Sequence, residues 1–163
     1  MFEKLKNIEE MKFKNFQTSE EVGELREYIT QWFIKNPDGK IAIGTDSQRK
    51  KKYLIYVTVI ALFYPYNKGA HLIYFRTRFK VRKIDLWSRL WEEVELTRLI
   101  GEHIKPIIGN RELEVHVDLN PDANYESNKL LNAAVGYLKA FDFVVIAKPD
   151  GCIASTAADW LTD

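Results

Sequence analysis

Apolar positions recur along this chain at two different periods, and the switch between them divides it. From Thr18 to about Lys35, Val22, Leu25, Ile29, Trp32 and Phe33 fall three or four residues apart, the spacing of one helix face. Thr18-Ser19-Glu20-Glu21 reads as a capping box for this helix, with Thr18 capping and Glu21 reaching back. Asn36-Pro37-Asp38-Gly39 ends the helix and turns the chain. From Lys40 the pattern becomes that of strands. Ile41 to Asp46 is a continuous apolar run ending in an acid, as expected of a buried central strand. Tyr53 to Phe63 is β-branched and aromatic, and His71 to Val81 alternates cleanly. The reversal Pro65-Tyr66-Asn67-Lys68-Gly69 and the short link before Tyr53 predict an antiparallel meander.

Beyond the meander the pattern predicts helix, strand, helix, strand, helix. Asp85 caps a helix to about Lys105, closed by Pro106 and Gly109. Leu113 to Asp118 is a strand, Asn124 to Ala140 a helix, Phe143 to Ala147 a strand and Gly151 to Leu161 a short last helix. The expected architecture is α/β: a mixed five-stranded sheet, three antiparallel strands plus two parallel ones, flanked by helices. Residues 1–39 read as a helical extension packed on a core domain of residues 40–163.

Composition removes several classes. With 163 residues, 46% of them hydrophobic and 13% aromatic, the chain can bury a substantial core and is not a disordered protein. Cys152 is its one cysteine, which excludes an internal disulfide framework and a cysteine-based zinc site. No apolar stretch reaches membrane-spanning length and the N-terminus does not read as a secretory signal, so no membrane partner is expected and the cytoplasm is the expected compartment. A formal net charge of +1 says nothing about a polyanionic partner; local charge must decide.

Local acid placement is more informative. Asp46 and Asp118 each end an apolar run, and Lys148-Pro149-Asp150-Gly151 follows the last strand. On a helical wheel at roughly 100° per residue, Leu86, Leu90, Val94, Thr97, Ile100 and Ile104 share a face, and Glu93 falls inside it, whereas Glu92 and Glu95 fall outside, toward solvent. Carboxylates gathered at the end of a sheet repel and desolvate one another unless a cation lies between them, which points to a hard divalent metal and phosphate chemistry. Each acid also has an ordinary reading. Asp46 sits in Thr-Asp-Ser, common turn chemistry; Glu93 at the edge of its stripe would pair with an arginine. Asp150 would cap the last helix, with Asp159 a competing fourth acid. Ser47 and Gln48 offer groups to hydrogen-bond a carboxylate. His116 shares a strand face with Asp118 and reads as a core or hydrogen-bonding histidine rather than a ligand.

Two cationic elements accompany the acids. Arg76, Arg78, Lys80 and Arg82 alternate along the third strand on one face, at about 6.7 Å, close to the spacing of phosphates on a strand. Arg49, Lys50, Lys51 and Lys52 form a turn just after Asp46. The bland reading of the first is an edge strand guarded by charge. Two such elements around one acidic centre favour contact with the backbone phosphates of RNA, DNA or a hybrid.

The order strand-acid, meander, helix-acid, strand-acid, strand, acid-helix resembles the ribonuclease H-like superfamily. The stretches Ile43-Gly44-Thr45-Asp46-Ser47-Gln48, Glu93 to Thr97, His116-Val117-Asp118-Leu119-Asn120-Pro121 and Lys148-Pro149-Asp150 are similar to the YkuK family of predicted ribonuclease H-like nucleases, over roughly residues 40 to 160. This resemblance implies a ribonuclease H-like sheet and a nuclease using two Mg²⁺ or Mn²⁺ ions. It places Asp46, Glu93 and Asp118 on the superfamily's core acids, with Asp150 matching the narrower family motif. Asp46 would bridge the metals, Glu93 and Asp118 would complete their shells, and Asp150 would serve the nucleophile side. The alternative is a catalytically inactive nucleic-acid-binding module on the same fold. A nucleotide phosphate loop is disfavoured, because the eight glycines are scattered singly.

Overall fold

A computed structural model describes residues 7–81, 83–119, 124, 127–147, 157 and 161. One mixed sheet organises them. Its strands are β1 (Lys14–Asn15), β2 (Lys40–Lys50), β3 (Tyr53–Phe63), β4 (Ala70–Lys80), β5 (Leu113–Val117) and β6 (Val144–Ala147), in the order β1-β4-β3-β2-β5-β6. The pairs β1·β4, β4·β3 and β3·β2 are antiparallel, and β2·β5 and β5·β6 are parallel. The meander and the two parallel strands are those expected from the pattern; the two-residue β1 adds a sixth strand that is too short to leave a periodic signal.

Three helices flank the sheet among the described residues: α1 (Leu25–Lys35), α2 (Leu86–Ile104) and α3 (Ser127–Lys139). Asp85 caps α2 as expected, accepting from the Ser88 N–H at 2.9 Å and the Ser88 hydroxyl at 2.7 Å. The start of α1 corrects the sequence reading. Thr18 and Glu21 do not cap it. Glu24 does, its carboxylate accepting from the Arg26 and Glu27 N–H groups. Gly23 explains the delay: at φ +83° it stands in the left-handed region and breaks any helix that would cross it. Ahead of it Asn15 closes a turn, and Glu21 bridges back to Lys14.

Side chains alternate across the sheet, so register decides which residues share a face. Ile41, Ile43, Leu54, Tyr56, Ile60 and Leu62 belong to one buried cluster with Leu25 and Ile29 of α1, Leu90, Val94 and Ile100 of α2, and Leu130, Ala134 and Leu138 of α3. On the opposite face Ile55, Val57 and Val59 form a smaller cluster with Leu72, Tyr74, Ala157 and Leu161. The last two are the described residues of the expected C-terminal helix, and both are helical.

Candidate functional site

Strand β2 is longer than its apolar run. It continues through Asp46 to Lys50, because β3 supplies hydrogen-bonding partners along all of it. Its pairing with β5 stops at Gly44↔His116. Asp46 therefore lies in mid-strand, not at a strand end, but just past the point where β5 leaves one side of β2 uncovered. Asp118 follows β5 by one residue, and continuing the register two positions would set it opposite Asp46.

Helix α2 brings the third acid to this rim. Glu93 is buried, with 6% of its surface exposed, and accepts a 2.5 Å hydrogen bond from the Ser47 hydroxyl. Burial, and after it the nearby charge of Asp46, push its carboxyl up to about 8; the Ser47 hydrogen bond and the Arg89 charge act the other way without winning. Glu93 and Asp118 both line one narrow cleft of about 10 Å³ with Thr45, Leu90, Val94, Thr97, His116, Val117 and Leu119, roughly the space of one water-sized group. A hydroxyl chain seats α2 on the sheet beneath: Thr97 donates to Thr45 at 2.8 Å, and Thr45 meets Thr58 at 2.7 Å, all three buried.

Not every expectation about this region holds. Glu92 does not face solvent: it is half-buried and accepts from the Tyr56 hydroxyl, which burial and then that hydrogen bond hold far above the ordinary tyrosine range. Arg49 and Lys50 are the last residues of β2, so only Lys51 and Lys52 make the turn. Lys51 takes φ +54° there. Arg89, one helical turn before Glu93, was not singled out from sequence; its distance of four residues from an inward acid is the signal that marks it. Arg82, Asp150 and Asp159 lie outside the described residues.

The chemistry of the donor set suits a hard cation. A buried carboxyl whose proton is retained partly because a second carboxylate stands beside it gains from a positive charge between them. Completeness is another matter. Ser47, the partner of Glu93, and Asp46 point to opposite sides of β2, and among the described residues no group of three or more His, Cys, Asp or Glu side chains is close enough to hold a metal ion.

Arg76, Arg78, Lys80 and Lys50 share the Asp46 face, whereas Arg49, paired with Leu54, falls on the opposite one. Val57 pairs with both Asp46 and Arg76, placing Arg76, Val57 and Asp46 in one cross-strand row; Ile55 likewise links Gln48 to Arg78. Arg76, Arg78 and Lys80 are exposed, and Arg78 lies over the Tyr53 ring at 4.3 Å. β1 covers the edge of β4 only at Tyr74 and Ile73, not along the cationic half. At the hairpin tip Arg49, Lys51, Lys52 and Lys80 line an open cleft of about 600 Å³ with Val81. No helix among the described residues is long and apolar enough to cross a membrane.

Comparison with known proteins gives three findings. No curated protein sequence matches. Among solved structures, the chain is similar to the N-terminal RNase H domain of a Mycobacterium tuberculosis protein, solved as a fusion with maltose binding protein, at 12% identity and a TM-score of 0.39, covering 76% of this chain and 94% of that one. The family model described as Ribonuclease H-like matches residues 20–163, most of the length, and the chain belongs to the ribonuclease H-like family.

Proposed function

We propose that this protein is a metal-dependent nuclease, akin to the YkuK branch of the ribonuclease H-like family, that hydrolyses phosphodiester bonds in RNA, DNA or a hybrid in the cytoplasm. The observation that carries the proposal is Glu93: a carboxyl buried on a helix face, turned to the strand that carries Asp46, its proton held up to about 8. Its neighbours on that face are apolar, as Leu90, Val94 and Ile100 are, or neutral, as Thr97 is; Glu93 alone among them carries an ionisable group.

In this reading Asp46, Glu93 and Asp118 hold Mg²⁺ or Mn²⁺, with Asp150 as the fourth acid. Such ions, when bound, activate a water and stabilise the leaving oxygen of the phosphodiester. The protein's own residues do the rest. Ser47 fixes the Glu93 carboxylate; the threonine chain fixes the height of α2 on β2. Arg76, Arg78, Lys80 and Lys50, with Arg82 next along the chain, draw the phosphate backbone across the face on which Asp46 stands, and Arg49, Lys51 and Lys52 meet it at the hairpin tip.

The deciding experiment is Mn²⁺-dependent cleavage of single-stranded, duplex and hybrid substrates by the wild type, Asp46→Asn and Glu93→Gln. The proposal expects cleavage that both substitutions abolish; undiminished cleavage by both variants would sink it. A second reading, an inactive nucleic-acid-binding module, is favoured by the incomplete metal-ligand set among the described residues. It expects salt-sensitive binding with no turnover in any divalent metal.

A further inference from the structure

A further concave feature, lined by none of the three rim carboxylates, lies toward the opposite end of β2. A cavity of about 480 Å³ is walled by Phe63, Tyr64, Pro65 and Tyr66, and by Asp38, Lys40, Asn67, Glu114, His116 and Ile146. Its volume is that of a small-molecule site. Lys40 precedes Asp46 by six residues, about 20 Å along an extended strand, and neither Asp46, Glu93 nor Asp118 lines the space.

Two observations mark it as built for a ligand. His116 is buried, with 5% of its surface exposed, and its Nε2 lies 3.2 Å from Glu114 Oε2, while its buried Nδ1 finds no partner among the described residues. Buried polar atoms of that kind are uncommon in native structures. His116 borders the narrow cleft of Glu93 and Asp118 as well, but strand alternation turns it to the Lys40 face, where this cavity opens. The second observation is Tyr66 at the rim. It is held at φ +63°, a conformation that bulky residues rarely adopt, with 83% of the residue's surface exposed. Tyr64 beside it is packed on Trp32 at 5.4 Å, which anchors one wall.

The polar lining limits what fits. Asp38 and Glu114 disfavour an anion, so a phosphate group would stay outside. Lys40 disfavours a guanidinium or ammonium group, which brings donors and no acceptor. A neutral planar ring that both donates and accepts satisfies every wall: an amine toward Glu114, ring acceptors toward Lys40 and the Asn67 amide, and flat faces against tyrosine. We infer that this cavity binds an amine-bearing nucleobase (adenine, cytosine or guanine), either as a free nucleoside or as an unpaired base of a strand. The inference is independent of the nuclease reading, since it needs neither metal nor cleavage.

The test is calorimetric titration of the metal-free full chain with adenosine, cytidine, uridine and N-acetylarginine amide. Saturable binding of adenosine and cytidine, at least tenfold tighter than uridine, is expected. Tyr66→Ala, a change at an exposed site that leaves the core untouched, should weaken binding about tenfold. Glu114→Gln should erase the preference for cytidine over uridine. Comparing cytidine with cytidine monophosphate and with a short oligonucleotide ending in an unpaired cytosine assigns the source: tighter binding of the oligonucleotide marks a strand end, and weaker binding of both phosphorylated probes marks a free nucleoside. Absence of saturable nucleoside binding, preference for the arginine probe, or affinities unmoved by both substitutions would overturn the inference.

Discussion

Ser47 and Glu93, 46 residues apart, are joined by a 2.5 Å hydrogen bond that ties the middle of β2 to the inner face of α2. The bond favours the charged form of Glu93, yet burial and the charge of Asp46 outweigh it. The same competition makes this pair measurable in solution.

Stability should fall as pH rises. Glu93 is raised from an ordinary 4.5 to about 8, so between those values the folded protein keeps a proton that the unfolded chain has lost. Its favourable contribution is complete below the lower value and disappears as pH passes through the upper one, with a slope of up to about 1.4 kcal/mol per pH unit. Glu93→Gln has no such proton to lose. Denaturant unfolding across this range should show the wild type weakening and the variant comparatively flat; parallel curves would contradict the assignment.

Divalent metal should reverse that trend. On the proposed reading, Asp46, Glu93 and Asp118 would hold an ion only once Glu93 had given up its proton, so binding would tighten with alkalinity. Thermal unfolding with excess Mn²⁺ is expected to show a larger upward shift in Tm near pH 8.5 than near pH 6, since only bound ligand stabilises. Asp46→Asn should remove most of the shift. An equal shift at both pH values in both proteins would indicate binding elsewhere.

Nucleic-acid binding should depend on the cross-strand row that includes Arg76. Replacing Arg76 and Arg78 by alanine should weaken binding alike for all sequences and make it less sensitive to salt, by roughly one unit of logarithmic slope for each phosphate no longer neutralised. Fluorescence anisotropy over a salt series reads both effects. Unchanged slopes would leave these cations as guards of an open strand edge.

Thr45→Val should destabilise by about 1–3 kcal/mol, because it strands the Thr58 hydroxyl in the core and leaves Thr97 only the Glu93 carbonyl. Thr97→Val should cost less, since Thr45 retains Thr58 as a partner. Together the two changes should cost less than their sum, the mark of a shared network. Chemical denaturation of the three variants measures this.

How much of this was legible in the sequence depends on how far each residue's role is set by its neighbours in the chain. The Tyr53–Phe63 strand, the Asp85 cap and the inward turn of Glu93 follow from local pattern, and each appears in the structure. The α1 boundary did not follow, because Thr18–Glu21 satisfies a capping pattern while Gly23 alone, through its positive φ, moves the start to Leu25. β1 is two residues long and exists only because β4 offers it an edge. Of the site, the inward acid was readable from one helix. The extent of β2 past Asp46 was not, since β3 rather than its own residues sustains it. Nor were the pairing of Glu92 with Tyr56 or the cavity around His116, which join segments far apart along the chain.

The trio Thr45, Thr58 and Thr97 has a wider consequence for this scaffold. Three hydroxyls that answer chiefly to one another in a dry interior act as a vernier: sliding α2 by a single residue would put them out of step. The position of Glu93 against Ser47 on β2 is thus set at the moment of folding, by residues that are themselves uncharged.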